Sequence, residues 1–320
     1  MKLLEIEILR KFGKQNLATL YIGRYGGEIL EFVHSIQPPH SREEKWVLIL
    51  STLFGCPIGC LMCDAGEYYH GKVSKEGMWA QLEHMITQYY PNLEIPVKKF
   101  KIQFARMGEP SLNDNVLELL KDLPHLIKAP GLIPCISTIA PKNAGSFFEH
   151  LLEIKQKFYR NGHFQLQFSI HSTDQKMRQS LIPVPIWNFA QISTFGDRWF
   201  EKGDRKITLN FAVEESVDLQ PAKLLPFFNP DKYLIKITPI NPTNRAKENQ
   251  LKSKITQNLL NNLKVRDSFR EYGYECILSI GEWEENAIGS NCGQFATQFI
   301  NGQVKLKENY TCHEYELPVK

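Results

Sequence analysis

Phe54-Gly55-Cys56-Pro57-Ile58-Gly59-Cys60-Leu61-Met62-Cys63-Asp64 is the stretch that decides the reading of this chain. Three of the seven cysteines in 320 residues fall within it, spaced C-x3-C-x2-C. An odd total with three thiols crowded into one loop is unlike a secreted disulfide framework. It is like a metal site in a reducing compartment. The run just before it, Trp46 to Thr52, is short and apolar and suits a buried strand. The cysteine loop therefore leaves the C-terminal end of a strand.

Working outward, strand and helix patterns alternate. Glu76 to Gln88 reads as helix and Lys99 to Ala105 as strand. Asn113 and Asp114 can cap a helix carrying Val116, Leu117, Leu119, Leu120 and Leu123. Leu132 to Ser137 is the next strand, and Phe147, Phe148, Leu151, Leu152 and Phe158 form a helical stripe. Phe164 to Ile170 has strand period, a helix follows near Phe189 to Phe200, and Ile207 to Val213 alternates again. A short helix is expected near Leu219 to Phe228, then a strand at Leu234 to Thr238. Ile255, Leu259, Leu263 and Phe269 mark a long helix stopped at Gly273. Six βα units in succession predict an α/β fold with a parallel sheet, curved or barrel-like. Upstream, Leu17 to Arg24 and Glu28 to Val33 flank Gly26-Gly27 as a hairpin, and Gln37 to Lys45 is a loop. The expected organisation is a β-rich extension over 1–45, a core over 46–245 and a closing segment over 246–320.

Three thiolates on one loop can hold three irons of a four-iron cluster and leave the fourth iron open to a substrate or cofactor. The competing reading is a non-enzymatic zinc module, which needs four closed ligands; His70 is the nearest fourth. Further motifs follow at predicted strand ends, where α/β folds place their chemistry. These are Met107-Gly108-Glu109-Pro110, Ser137-Thr138, Ser169-Ile170-His171-Ser172, Arg178 to Pro183, and Pro239-Ile240-Asn241-Pro242. Asn291-Cys292-Gly293-Gln294-Phe295 comes last. Taken singly, polar residues and prolines simply end strands.

The cysteine spacing resembles the radical S-adenosylmethionine (SAM) superfamily. The motif set, in this order over Trp46 to Phe295, resembles its RlmN/Cfr-type RNA adenine methyltransferases. The resemblance implies a partial (β/α)6 barrel of the radical SAM type. It implies a [4Fe-4S] cluster on Cys56, Cys60 and Cys63 whose open iron chelates SAM, and an electron donor such as flavodoxin or ferredoxin. Reduction then cleaves SAM to methionine and a 5′-deoxyadenosyl radical. Gly108, Glu109, Ser137, Ser169 and Asn241 match SAM-binding positions, with a Glu109-type carboxylate accepting the SAM ammonium. Met62 stands where the superfamily usually has an aromatic, and a soft apolar thioether can pack against adenine. Cys292 matches the cysteine that one SAM methylates. The radical from a second SAM then removes a hydrogen from that methyl group, and the carbon radical adds to adenine.

The resemblance has departures. The family's second cysteine, which releases the product by a disulfide with the first, is Ile49 here. About 45 residues precede the core and read as strands, where the family carries a helical accessory domain that engages RNA. An Arg-rich family segment is replaced by Glu282-Trp283-Glu284-Glu285, which would repel a phosphate backbone. Lys plus Arg is 38 and Asp plus Glu 35, a net charge of only +3 that does not by itself support RNA as substrate. The expectation is therefore a radical SAM, methyltransferase-like enzyme using Cys292 on an undetermined substrate. The alternative is an RNA adenine methyltransferase whose release thiol comes from elsewhere, such as Cys312. With 42% hydrophobic and 23% charged residues, disorder, collagen and coiled coil are poor readings. The N-terminus has no signal-peptide features, and no apolar run reaches the roughly 18 residues of a membrane span, so a cytoplasmic location is expected.

Overall fold

The computed structural model describes residues 5–14, 16–36, 38–280, 295–300 and 302. Cys292, Cys312 and the acidic segment at 282–285 lie outside them.

A ten-stranded sheet runs through the molecule. Strands β1 (Glu7–Lys14), β2 (Ala18–Tyr25) and β3 (Glu28–Ser35) form an antiparallel meander. The β2–β3 hairpin turns at Gly26 and Gly27, both at positive φ, as the glycine pair predicts. β3 pairs antiparallel with β4 (Lys45–Leu50), so the N-terminal extension continues the main sheet. After β4 come β5 (Leu53–Gly55) and β6 (Tyr69–Lys72), a separate antiparallel pair with the cysteine loop between them. Next in the main sheet are β7 (Lys99–Phe104), β8 (Leu132–Thr138), β9 (Gln165–Ser169), β10 (Ile207–Ala212), β11 (Tyr233–Thr238) and β12 (Glu275–Leu278). From β4 through β12 every pairing is parallel. The six expected parallel strands are present. The seventh, β12, was not anticipated, because four residues are too few to show a period.

Helices α1 (Lys75–Thr87), α2 (Asn115–Leu126), α3 (Gly145–Phe158) and α5 (Phe189–Trp199) lie where the apolar stripes place them. Their apolar faces and one face of the sheet make the main core, in which Phe100, Ile102 and Phe104 of β7 pack with Leu82, Leu119 and Leu120. The opposite face of the same strands is polar and partly exposed: Lys99, Lys101 and Gln103 alternate with those phenylalanines and that isoleucine.

Some local readings are corrected. The last long helix, α7 (Leu259–Arg270), begins after Ile255. Lys254 N–H donates to Val213 O, Ser253 Oγ accepts from Ile255 N–H, and Asn262 holds both backbone groups of Thr256. Ile255 is thus a buried anchor in non-helical chain. The helix expected near Leu219 is only a 3-10 turn, Pro221–Leu224. A short helix not expected, α4 (Gln175–Leu181), carries Arg178. Asp114 makes no side-chain cap on α2. Asn113 accepts from Asn115 N–H at 3.1 Å, while its amide donates to Thr52 O and Val73 O at 2.7 and 2.8 Å. Among the described residues, no helix is long and apolar enough to cross a membrane.

Candidate active site

The cysteine loop is closed at its stem by Cys56 N–H donating to Tyr68 O at 3.0 Å. Gly55 sits at φ +81°, and a Cβ there would lie 1.9 Å from Tyr68 O, so only glycine fits. Gly66 packs against Gly59, leaving 2.7 Å between a hypothetical Cβ and Gly59 Cα. Cys63 N–H donates to Cys60 O, and a 3-10 turn, Asp64–Glu67, follows.

A distant segment clamps this loop from outside. Buried Asp64 accepts from the N–H groups of Arg245 at 2.9 Å and Asn244 at 3.1 Å, at the start of α6 (Asn244–Glu248). Thr243 Oγ1 caps α6 and donates to Met62 O at 2.9 Å. The Arg245 guanidinium reaches Gly59 O and the Asn249 amide reaches Leu61 O, both at 3.1 Å. Sequence reading missed all four partners. The available signal was Thr243 as an N-cap just after Pro242.

Two of the thiols sit in an environment hostile to an isolated thiolate. Burial pushes Cys56 up to about 11 and Cys60 up to about 12, with the Glu109 carboxylate adding to both. The N–H groups of Ile58, Gly59 and Glu109 meanwhile aim at the Cys56 sulfur, and the Arg245 charge favours thiolate at Cys60. Ligating thiolates packed beside a carboxylate require a cationic group between them. N–H donors to sulfur are the usual surroundings of iron–sulfur ligands. His70, the candidate fourth zinc ligand, lies on exposed β6 with its Nδ1 2.8 Å from Glu28. Among the described residues, no group of three or more His, Cys, Asp and Glu side chains is gathered to hold a metal ion. The donor set fits a cluster bound by three thiolates and does not fit a zinc site closed by His70.

The loop after β7 faces the cysteines. Gly108 has φ +97°, and a Cβ there would lie 2.4 Å from Leu53 Cγ. Glu109 is buried, and burial pushes its carboxyl up while hydrogen bonds oppose the shift. Oε1 accepts from Ser111 N–H (3.1 Å), Ser111 Oγ (2.7 Å) and Thr138 Oγ1; Oε2 accepts from Ile139 N–H at 2.9 Å. Three of these donors converge on Oε1 and one on Oε2, which keeps a lone pair free of protein donors. Glu109 thus ties the β7 loop to the end of β8.

The other expected contacts stand at neighbouring strand ends. Ser137 Oγ accepts from Gln167 at 3.1 Å. Ser169 pairs in register with Asn210, so both side chains share the polar face with Ser137. Asn210 was missed by sequence reading; it is buried, and its Oδ1 has no hydrogen-bond partner among the described residues. Asn241 lies three residues past β11, with its carbonyl accepting from Thr243 N–H. Met62 packs between Ile58 and Ile139 on one side and Ala212 and Ile240 on the other. Arg178 is fully buried and donates to the carbonyls of Ile139, Ser169 and Trp187, bracing the ends of β8 and β9. His171, at φ +61°, accepts from Ala212 N–H through Nδ1, which puts the ring proton on Nε2. Burial and the Arg178 charge pull His171 down to about 3, so it is neutral.

One further arrangement joins this site to the C-terminal chain. Glu31 on β3 and Arg106, just before Met107, meet at 2.8 Å with neither side chain exposed. The other Glu31 oxygen accepts from Phe295 N–H and Ala296 N–H at 3.0 and 2.9 Å, the start of α8 (Phe295–Ile300). Thr297 Oγ1 donates to Asp64 O. Ile49 packs into the same apolar cluster as Phe295. The helix that follows Cys292 is therefore fastened to the β7 loop and the cysteine loop together.

A scan against protein-family profiles finds no match. Individual relatives do match. The chain is 26% identical over 262 residues to "Ribosomal RNA large subunit methyltransferase N" of Nitrosopumilus maritimus, covering 79% of this chain and 68% of that protein. It is 30% identical over 210 residues to "Dual-specificity RNA methyltransferase RlmN" of Helicobacter hepaticus, covering 62% and 53%. The matched stretch thus spans from about half to two thirds of those relatives. The resemblance read from the motifs is borne out over those matched stretches. In fold, the chain is similar to a radical SAM methyltransferase from Sphaerobacter thermophilus, with TM-score 0.71 and 17% identity over 91% of this chain and 81% of that one.

Proposed function

We propose that the chain is a radical SAM enzyme of the methyltransferase type, with Cys56, Cys60 and Cys63 as ligands of a [4Fe-4S] cluster. The observation that carries this is the half-buried cysteine loop itself, whose Cys56 and Cys60 pack with Met62 on the cluster that contains Ile139, just past the C-terminal end of β8. When bound, the cluster supplies the electron that splits SAM into methionine and a 5′-deoxyadenosyl radical.

The residues of this chain bind and orient around that chemistry. Glu109 Oε2, with a single protein donor, is read as the acceptor of the SAM ammonium, beside backbone carbonyls of the Gly108–Glu109 loop. Met62 offers an apolar surface to adenine, and Ser137, Ser169 and Asn241 supply polar contacts. The sheet is read as a partial (β/α)6 barrel over 46–245. In support, the Lys101 charge acts on Lys236 although β7 and β11 are four steps apart in strand order.

Cys292 is read as the methyl-carrying thiol. It precedes Phe295 by three residues, a span of at most about 11 Å of extended chain. RNA is the favoured substrate class, because the relatives are named as RNA methyltransferases. Flavodoxin or ferredoxin is the matching class of electron donor. Of the described thiols outside the loop, Cys276 faces the main core. Cys135 shares the sheet face of Ile49, two strands away through Gln103.

The test is mass spectrometry of the Cys292 peptide after anaerobic reconstitution and SAM exposure. A methylated cysteine is expected. An unmodified peptide from protein that still forms 5′-deoxyadenosine would remove the methyl-carrier role and leave direct hydrogen abstraction.

A further inference from the structure

The polar face of the parallel sheet is half-buried and gathers cations between β7 and β11, with Glu275 of edge strand β12, beside Lys206, an acid on the same face. Lys99 and Lys101 on β7 and Lys236 on β11 all point to this face, beside Cys135 and Asn210. Arg205, just before β10, adds its charge: Cys135 senses Lys101, Arg205, Lys236 and Lys99 together. Among the described residues, none of Lys99, Lys101 and Lys236 has an acidic partner. Burial, then repulsion from Lys101, pulls Lys236 down to about 8. Gathering like charges in a partly buried place costs stability, and such arrangements concentrate at functional sites.

A second observation points to a ligand on the same face. Asn210 is only 9% exposed, its Oδ1 has no partner among the described residues, and it is level with Lys236 in the β10–β11 register. An amide held in that state lacks the hydrogen bond a buried polar group requires. Lys101 and Lys99 lie three and five residues before the end of β7, roughly 10 to 17 Å down that strand at about 3.3 Å per residue, while Lys236 is level through Asn210 with Ser169.

We propose that this face is a phosphate site for the substrate, in which Lys101 and Lys236 contact a phosphate ester, Lys99 and Arg205 flank it, and Asn210 bonds the attached nucleoside. The proposal rests on the reading that the substrate is nucleotide in kind. A net charge of +3 conceals this local field, because acids elsewhere balance it.

The full-length, anaerobically reconstituted protein with SAM is titrated with adenosine, AMP and a short adenine-containing single-stranded RNA. Wild type is compared with Lys101→Gln, Lys236→Gln, the double variant and Lys236→Arg. Iron content and melting temperature show that each variant is folded, and the single variants decide the matter if the double variant is not. A preference for AMP over adenosine of roughly tenfold or more is expected in wild type. It is lost in the double variant and retained in Lys236→Arg. For RNA, the slope of log affinity against log salt falls by about 0.7 for each lysine removed. AMP and RNA both sensitive to the lysines assigns the site to a phosphate monoester or diester; RNA alone assigns it to the strand backbone. RNA and AMP binding indifferent to both lysines overturns the proposal, as does a wild type that binds neither. Formation of 5′-deoxyadenosine by wild type in the same preparation keeps the two failures apart: its absence refutes the radical reading, whatever the binding result.

Discussion

Glu31 and Arg106 illustrate what a single buried pair does here. Removing one partner strands the other charge, so Glu31→Leu or Arg106→Leu should cost about 3–5 kcal/mol by urea unfolding. The Glu31→Leu/Arg106→Leu double variant should lose less than the sum of the two. Glu31 also holds the first N–H groups of α8, so its loss should loosen the chain after Cys292 more than the loss of Arg106 does. None of this was legible in the sequence, because a glutamate in a hairpin strand has no signature until its partner arrives from another strand end. Glu109 was legible as a motif, but its protein donors were not. His34 makes a third case. It is fully buried with both ring nitrogens lacking hydrogen-bond partners among the described residues. Burial, aided by the charges of Arg42 and Lys11, pulls it down to about 3. An unfolded histidine takes up its proton near pH 6.5, while the folded one stays neutral. The stability held by neutral His34 is thus fully present above pH 6.5 and is lost as pH falls from 6.5 toward about 3. Thermal melts over that range should fall with pH less steeply in His34→Phe than in wild type.

The cysteine loop depends on elements that sequence revealed unevenly. Its thiols and the strand before it were plain from spacing and apolar pattern. Its stem, the β5–β6 pair, was invisible because strands of three and four residues show no period. Gly55→Ala would drive a methyl group into Tyr68 O, so this variant should fold with a displaced stem and bind less iron than wild type per chain. Iron uptake equal to wild type would show that the stem does not position the ligands. The clamp from Asp64 to α6 joins residues some 180 positions apart, a separation that local patterns cannot report. Ile49, where the relatives' family carries its release thiol, packs in the cluster of Phe295. Ile49→Cys should therefore form a disulfide with Cys292 under oxidation, detectable by non-reducing peptide mapping. Failure to crosslink would place Cys292 away from β4.

For the whole molecule, alternation of six strand and helix patterns was enough to foresee an α/β fold. That pattern comes from burying every second strand residue under helices, as β7, β9 and β11 do, while β8 and β10 are buried along nearly their whole length. The irregular segments obeyed tertiary partners instead, as Ile255 shows. Net charge sums over surfaces that face different ways, so +3 does not report a local field such as that of Lys101 and Lys236. The central claim is that the three clamped thiols hold an electron-transferring cluster at the SAM site. The most direct test reconstitutes the full chain anaerobically with iron and sulfide, reduces it with dithionite, adds SAM and quantifies 5′-deoxyadenosine. The account predicts formation of 5′-deoxyadenosine that disappears in Cys60→Ala; stoichiometric zinc, no iron uptake and intact SAM would contradict it.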